Sequence, residues 1–409
     1  MRFAWALLAF LNARAQTIAV NPAHVLTDQP ATIQVSGLHP GERAEIRATL
    51  TDGADGRWTS QAEFTADAQG AIDTSKQAPV AGSYKDVSEM GLVWSMKPSA
   101  KEGRYQPPRA FASQTIEFQL MRGKEQIAAT TLEQSPIAEG VQRIPVHDGP
   151  LRGTLFLPPG NDRKPAVLVL GGSEGGLPSR RAAWLASRGF AALALAYFRY
   201  DDLPQELSGI PLEYFGQALN WMAHRAEIAS GRIAIMGVSR GGELALQLAS
   251  MYPVKAVVAY VPANVRYPAC CGFTKVPFAW TFNGNGLAFR PVRSRAPDLR
   301  ATIEVEHIQG PVLLISGTSD GIWESSSMAD SVVARLKQHH FAFDVEHLKY
   351  ARAGHAAGRP EIVPAWQGFT RNPTSGREVE MGGTPKGNAE SSIDAIPKVL
   401  EFLQKSLGR

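Results

Sequence analysis

Ser239 stands in Gly237-Val238-Ser239-Arg240-Gly241, a G-x-S-x-G turn. A serine hydroxyl is a weak nucleophile until a nearby base takes its proton, after which it can attack a carbonyl carbon. The residues around it suit that task. Residues 233–236 form a short apolar run, too short for a helix and bounded by glycine, which reads as a buried strand. Residues 243–250 are good helix formers, with Leu244, Leu246 and Leu248 among alanines. Strand, G-x-S-x-G and helix make a nucleophile elbow, in which a Cβ at either glycine would meet the neighbouring strand or helix. The hydroxyl then lies at a helix N-terminus, whose free N–H groups and dipole favour negative charge. An ordinary Gly-Ser turn would share the motif but needs no such flanks.

A base and an acid complete the chemistry. The apolar run 311–316 reads as a strand and ends in Gly317-Thr318-Ser319-Asp320, a carboxylate just past a late strand end. Asp320 there can fix a histidine tautomer and stabilise the imidazolium, the competing reading being an Asx-turn before Gly321. His355 follows Gly354 in the loop after the strand read over 341–348, giving the chain order Ser…Asp…His. His340 and His347 lie in or beside that strand pattern and are discounted. Gly171-Gly172-Ser173-Glu174-Gly175-Gly176 follows the apolar run 165–170. It lacks the GxGxxG order and a Walker lysine, so it reads as an oxyanion loop rather than a phosphate loop. Ser173, with Glu174 as the neighbouring alternative, and Arg240 are the expected backbone N–H donors. The reaction class is acyl transfer.

The elements that must position these groups fall into two textures. From 140 to 409, apolar strands alternate with helices: 153–157, 165–170, a helix over 180–187 stopped by Gly189, then 190–197. That pattern predicts a mostly parallel sheet covered on both faces, an α/β-hydrolase domain. From 17 to 139, short runs such as 31–35, 44–50 and 115–120 alternate polar and apolar residues between Gly, Pro and Asp. These predict antiparallel strands and an immunoglobulin-like β-sandwich, with the apolar segment 91–96 as one of its core strands, the alternative being an edge that contacts substrate. Pro136, Pro145, Pro150, Pro158 and Pro159 break any long element, which puts the junction near 138–141.

The first residues, MRFAWALLAFLNARAQ, carry Arg2, an apolar run of nine and Ala13-Arg14-Ala15 before Gln16. This reads as a signal peptide over 1–15, predicting export to a periplasm or the outside if it is cleaved and a cytoplasmic chain if it is not. Nine residues are too few to span a bilayer, and no other apolar run is long enough. The formal net charge of +4, which falls to +2 without Arg2 and Arg14, comes with no basic block, so nucleic acid is not an expected partner. The nine histidines and the adjacent pair Cys270-Cys271 show no metal spacing, and neither a metal nor another cofactor is expected. Neighbouring cysteines rarely form a disulfide, so none is predicted. The oligomeric state is left open.

Several stretches carry a resemblance along nearly the whole mature chain. They are GLHPGERAEIRATL around 38–50, GSYKDVSEMGLVWSMKP at 82–98 and GGLPSRRAAWLASRGFAALALAYFRYDDLP at 175–204. MGVSRGGELAL at 236–246, VLLISGTSDGIW at 312–323, Gly354-His355 and Gly382-Gly383 fit as well. Together they resemble the acyl-CoA thioesterase / bile acid-CoA:amino acid N-acyltransferase family. The resemblance implies a sandwich followed by an α/β-hydrolase domain, Ser239, Asp320 and His355 as triad, and a small-molecule fatty acyl thioester as substrate. Members that conjugate amino acids resemble one another in using cysteine as nucleophile, whereas hydrolytic members mostly use serine, so Ser239 implies hydrolysis. An exported carboxylesterase acting on oxygen esters and an amino-acid N-acyltransferase are the alternatives.

Overall fold

The computed structural model describes residues 15–100, 103–291, 299–366, 369–371 and 378–408. The leader read over 1–15 lies outside the described residues but for Ala15. No described helix is long and apolar enough to cross a membrane.

The N-terminal part is a β-sandwich, as its alternation predicts. One sheet has three strands and the other seven, including the long antiparallel pair Arg43–Thr51 and Arg57–Thr65. Alternate residues of that pair, Ala44, Ile46, Ala48 and Leu50 against Trp58, Ala62 and Phe64, are buried. One expectation fails here: Gly91–Trp94 is a single helical turn rather than a strand, with all four residues buried. A continuous apolar run carries no period, so it does not distinguish a buried strand from a buried turn of helix.

The C-terminal part is built on one eight-stranded sheet. In chain order its strands are β1 (Gln142–Asp148), β2 (Leu151–Leu157), β3 (Lys164–Leu170), β4 (Ala191–Ala196), β5 (Ile228–Val238), β6 (Ala256–Tyr260), β7 (Val312–Gly317) and β8 (Val345–Tyr350). They lie in the order β1-β2-β4-β3-β5-β6-β7-β8, with β2 antiparallel to both its neighbours, β1 and β4, and every other neighbouring pair parallel. The helices are α1 (Ser179–Ser187), α2 (Leu212–Ala223), α3 (Arg240–Ala249), α4 (Ser325–Gln338) and α5 (Pro385–Leu407).

Each central strand serves two cores, which is why it reads as unbroken apolar sequence. Val167 and Val169 of β3, Val258 and Tyr260 of β6, and Leu313 and Ile315 of β7 face the layer of α1 and α5. Leu168 and Leu170, Val257 and Ala259, and Val312 and Leu314 face α2, α3 and α4. The first of these cores runs on without a break into the interior of the sandwich. Buried polar contacts cross the same junction. Asp28 accepts from Trp184 Nε1 at 2.8 Å and pairs with Arg188, while Gln134 Nε2 donates to the Ile362 carbonyl at 3.1 Å.

Candidate active site

The strand β5 delivers Ser239, which follows its last residue. A Cβ on Gly237 would lie 1.9 Å from the Gly241 carbonyl oxygen, and one on Gly241 would lie 2.2 Å from that of Gly171. Only glycine fits at either place, and the second contact presses the elbow against the glycine-rich loop after β3. Ser239 itself takes φ 57° and ψ −119° at the N-cap of α3. Its N–H donates to the Tyr260 carbonyl at 2.9 Å, and its carbonyl accepts from Gly242 and Glu243.

The structure brings Ser239, His355 and Asp320 together. Ser239 Oγ lies 2.9 Å from His355 Nε2, and His355 Nδ1 lies 2.9 and 3.0 Å from the two Asp320 oxygens. With Nδ1 donating to the carboxylate, Nε2 is the lone pair that accepts the serine proton. Asp320 is held in turn: it accepts from the Ile322 N–H at 2.9 Å, the Trp323 N–H at 3.3 Å and Ser325 Oγ at 2.6 Å. Both side chains are almost wholly buried, 2% exposed for Asp320 and 8% for His355. The segment Met381 to Gly383 fastens both loops, accepting the His355 N–H at 2.8 Å and bridging to Asp320 and Ala353.

The expected oxyanion donors lie on the two segments packed at the elbow. Arg240 opens α3, where a helix N–H has no acceptor of its own. Ser173 lies in the loop pressed against the elbow. The neighbouring Glu174 folds back, Oε1 accepting from the Gly172 N–H at 3.2 Å. The Arg240 side chain leaves the cleft. It donates to the carbonyls of Tyr267 and Pro268 and pairs with Glu243 at 3.3 Å. Burial pushes the Glu243 carboxyl up and Arg240 opposes it, while Trp280 Nε1 donates to it at 2.7 Å. These contacts fix the loop that carries Tyr267, whose ring stacks on Trp323 at 5.3 Å. Trp323 in turn meets His355 edge-on at 5.8 Å, so an aromatic wall stands beside that imidazole. Sequence reasoning missed Trp323, Tyr267, Glu243 and Ser325. Trp323 and Ser325 could have been found by their nearness to Asp320 in the chain.

The competing histidines lie elsewhere. His340 sits past the end of α4. His347 makes a second Ser–His–Asp chain, 2.7 Å from Ser316 Oγ and 3.1 Å from Asp330. Ser316 is wholly buried in β7, off any elbow, so no substrate reaches it. Cys270 and Cys271 correct another expectation, since they are joined by a disulfide. The Cys271 carbonyl accepts from Arg199, which also donates to the Glu174 carbonyl at 3.3 Å and so ties this loop to the glycine-rich one. Among the described residues no group of three or more His, Cys, Asp or Glu could hold a metal ion.

Two family models match the chain. Residues 28–148 match an acyl-CoA thioester hydrolase/BAAT N-terminal region, and residues 210–409 match a BAAT / acyl-CoA thioester hydrolase C-terminal region. Acyl-coenzyme A thioesterase 6 of Mus musculus is 32% identical over 415 residues, covering 96% of this chain and 97% of its own. Acyl-coenzyme A thioesterase 1 of Homo sapiens is 30% identical, covering 96% and 97%. Among solved structures, a dienelactone hydrolase-like promiscuous phosphotriesterase from metagenomic libraries overlays with a TM-score of 0.42 at 17% identity, covering 65% of this chain and 97% of its own.

Proposed function

The chain belongs to the acyl-CoA thioester hydrolase/BAAT family, and on that premise we propose that it is a serine hydrolase that cleaves fatty acyl thioesters of the acyl-CoA type through an acyl-enzyme on Ser239. The observation that carries the reading is the hydrogen-bonded chain from Ser239 Oγ through His355 to Asp320. In this mechanism His355 Nε2 takes the Ser239 proton as Oγ attacks the thioester carbonyl carbon. The N–H groups of Arg240 and Ser173 receive the oxyanion. The intermediate collapses as the C–S bond breaks, and the imidazolium protonates the departing thiolate. Water then attacks the acyl-serine with His355 as base, releasing the carboxylic acid and restoring the serine.

The identity of residue 239 bears on the second half-reaction. A serine acyl-enzyme is an oxygen ester, which water attacks readily but which is less reactive toward amines than a thioester. That supports hydrolysis over transfer to an amino acid.

A second reading, an exported hydrolase of oxygen esters, is favoured by two features. The leader reads as a signal peptide, and the Cys270–Cys271 disulfide suits an oxidising compartment. One experiment tests both readings: the mature protein is offered palmitoyl-CoA and p-nitrophenyl palmitate, with Ser239→Ala as blank. The proposed function expects a strong preference for the CoA thioester, and a preference for the oxygen ester overturns it. N-terminal sequencing of the protein made in its own host tests export, which predicts a mature chain starting near Gln16.

A further inference from the structure

Three arginines of the hydrolase domain meet at the junction with the sandwich, next to the glycine-rich loop. Arg180 and Arg359 share the carboxylate of Glu361, at 2.7 Å and 2.6 Å. Arg181, one residue on in α1, lies over the Tyr260 ring, its guanidinium carbon 4.1 Å from the centroid. Its Nη1 is buried with no acceptor. An unfilled buried guanidinium donor is costly, and in a native structure it asks for a partner. Burial pushes the Arg181 pKa down, with Glu361 and Glu174 opposing that shift and Arg359 adding to it.

The place is close to the chemistry. Tyr260, under Arg181, gives its carbonyl to the Ser239 N–H at 2.9 Å. A Cβ on Gly358, three residues past His355, would stand 3.2 Å from the Tyr260 ring. On the other side, a Cβ on Gly172 would stand 2.8 Å from Glu174 Oε2 and 3.3 Å from Ser239 Cβ, so that carboxylate lies beside the nucleophile. The sandwich adds Arg104, an exposed side chain in the fields of Arg359 and Glu174. Its neighbour Tyr105 is buried under the Arg359 guanidinium, 5.8 Å from the ring centroid.

We propose that Arg181, Arg359 and Arg104 form an oxyanion-binding site between the two domains, which takes a phosphate or carboxylate group carried by the thioester substrate. Guanidinium groups suit this because their paired N–H donors match such oxygens. The inference rests on the thioesterase reading of the Ser239 site and deepens it. The anion has two possible sources on such a substrate, the phosphates of the CoA portion and a carboxylate at the far end of the acyl chain.

The test compares Arg181→Met and Arg104→Gln with the wild type on three thioesters. These are palmitoyl-CoA, S-palmitoyl-N-acetylcysteamine, which lacks phosphates, and the N-acetylcysteamine thioester of hexadecanedioic acid, which has a free carboxylate. The expected result is a loss of kcat/KM on one anionic substrate at least tenfold greater than on the neutral one, shrinking as salt is raised. Loss on palmitoyl-CoA identifies a phosphate site, and loss on the dicarboxylic thioester identifies a carboxylate site. Equal losses on all three thioesters, or none, overturn the proposal. Arg104→Gln alters an exposed side chain and carries the test if Arg181→Met does not fold. A wild type that cleaves p-nitrophenyl palmitate but no thioester sinks the thioesterase reading separately. The same comparison then runs on p-nitrophenyl esters with and without the terminal carboxylate.

Discussion

Ser239 holds φ 57° and ψ −119°, a conformation that costs a non-glycine residue on the order of 1–3 kcal/mol. The chain tolerates the strain because the turn is fixed from both sides, by Gly237 against Gly241 and by Gly241 against Gly171. Ser239→Gly and Ser239→Ala should therefore both be inactive, with the glycine variant the more stable by roughly 1 kcal/mol in urea unfolding. Equal stabilities would mean that the elbow is not strained. Asp320→Asn keeps the shape of the acid but disturbs the histidine tautomer, so kcat should fall by about 10⁴ with KM little changed, read in steady-state hydrolysis. Near-normal turnover would point to another carboxylate. That Ser239, Asp320 and His355 come together was legible because each sits in a short local pattern: elbow, strand end, loop after a strand. Glu243 and Tyr267 were not, because their roles depend on Arg240 reaching a loop some 27 residues further along the chain.

Among elements, the contact of α1 with the loop after His355 has electrostatics that can be read as a function of pH. Burial alone would raise the Glu361 carboxyl, but Arg359 and Arg180 outweigh it and hold the pKa at about 2. A carboxyl depressed in the folded state stabilises the protein above its unfolded pKa of about 4.5, and that contribution is lost as pH falls toward 2. Glu361→Gln should cost about 3 kcal/mol at neutral pH, and the difference from wild type should vanish between pH 4.5 and 2 in denaturant titrations. A pH-independent difference would assign the effect to packing. The pair was not visible in the sequence, where Arg180 and Glu361 stand 181 residues apart. Strands fared better than the apolar segments around them. The alternation of 44–50 fixed a strand that extends by only one residue at each end, whereas the run read over 341–348 forms a strand only from Val345. Phe341 and Phe343 instead pack on each other, 5.4 Å between ring centroids, ahead of that strand.

At the scale of the whole molecule, the two textures of the sequence predict two architectures with a junction near 138–141. The last sandwich strand ends at Ser135, and β1 begins at Gln142. What local patterning could not reveal is that the two parts share one core. The residues that join them are distant in the chain, 156 positions for Asp28 with Trp184 and 228 for Gln134 with Ile362. Trp94, in the short helical turn of the sandwich, gives its carbonyl to Ala365 at 3.0 Å, in the loop that follows His355. The sandwich thus forms part of the wall behind His355, and the two parts should unfold together in calorimetry as one cooperative transition. Asp28 tests the coupling, since its carboxylate is 2% exposed and holds both Trp184 and Arg188. Asp28→Ala removes the acceptor that this guanidinium and indole share, at a cost of about 3 kcal/mol. If the junction is what makes unfolding cooperative, this variant should split the transition in two and lose activity at the lower one. A single transition lowered as a whole would instead mean that the shared apolar core couples the parts without Asp28.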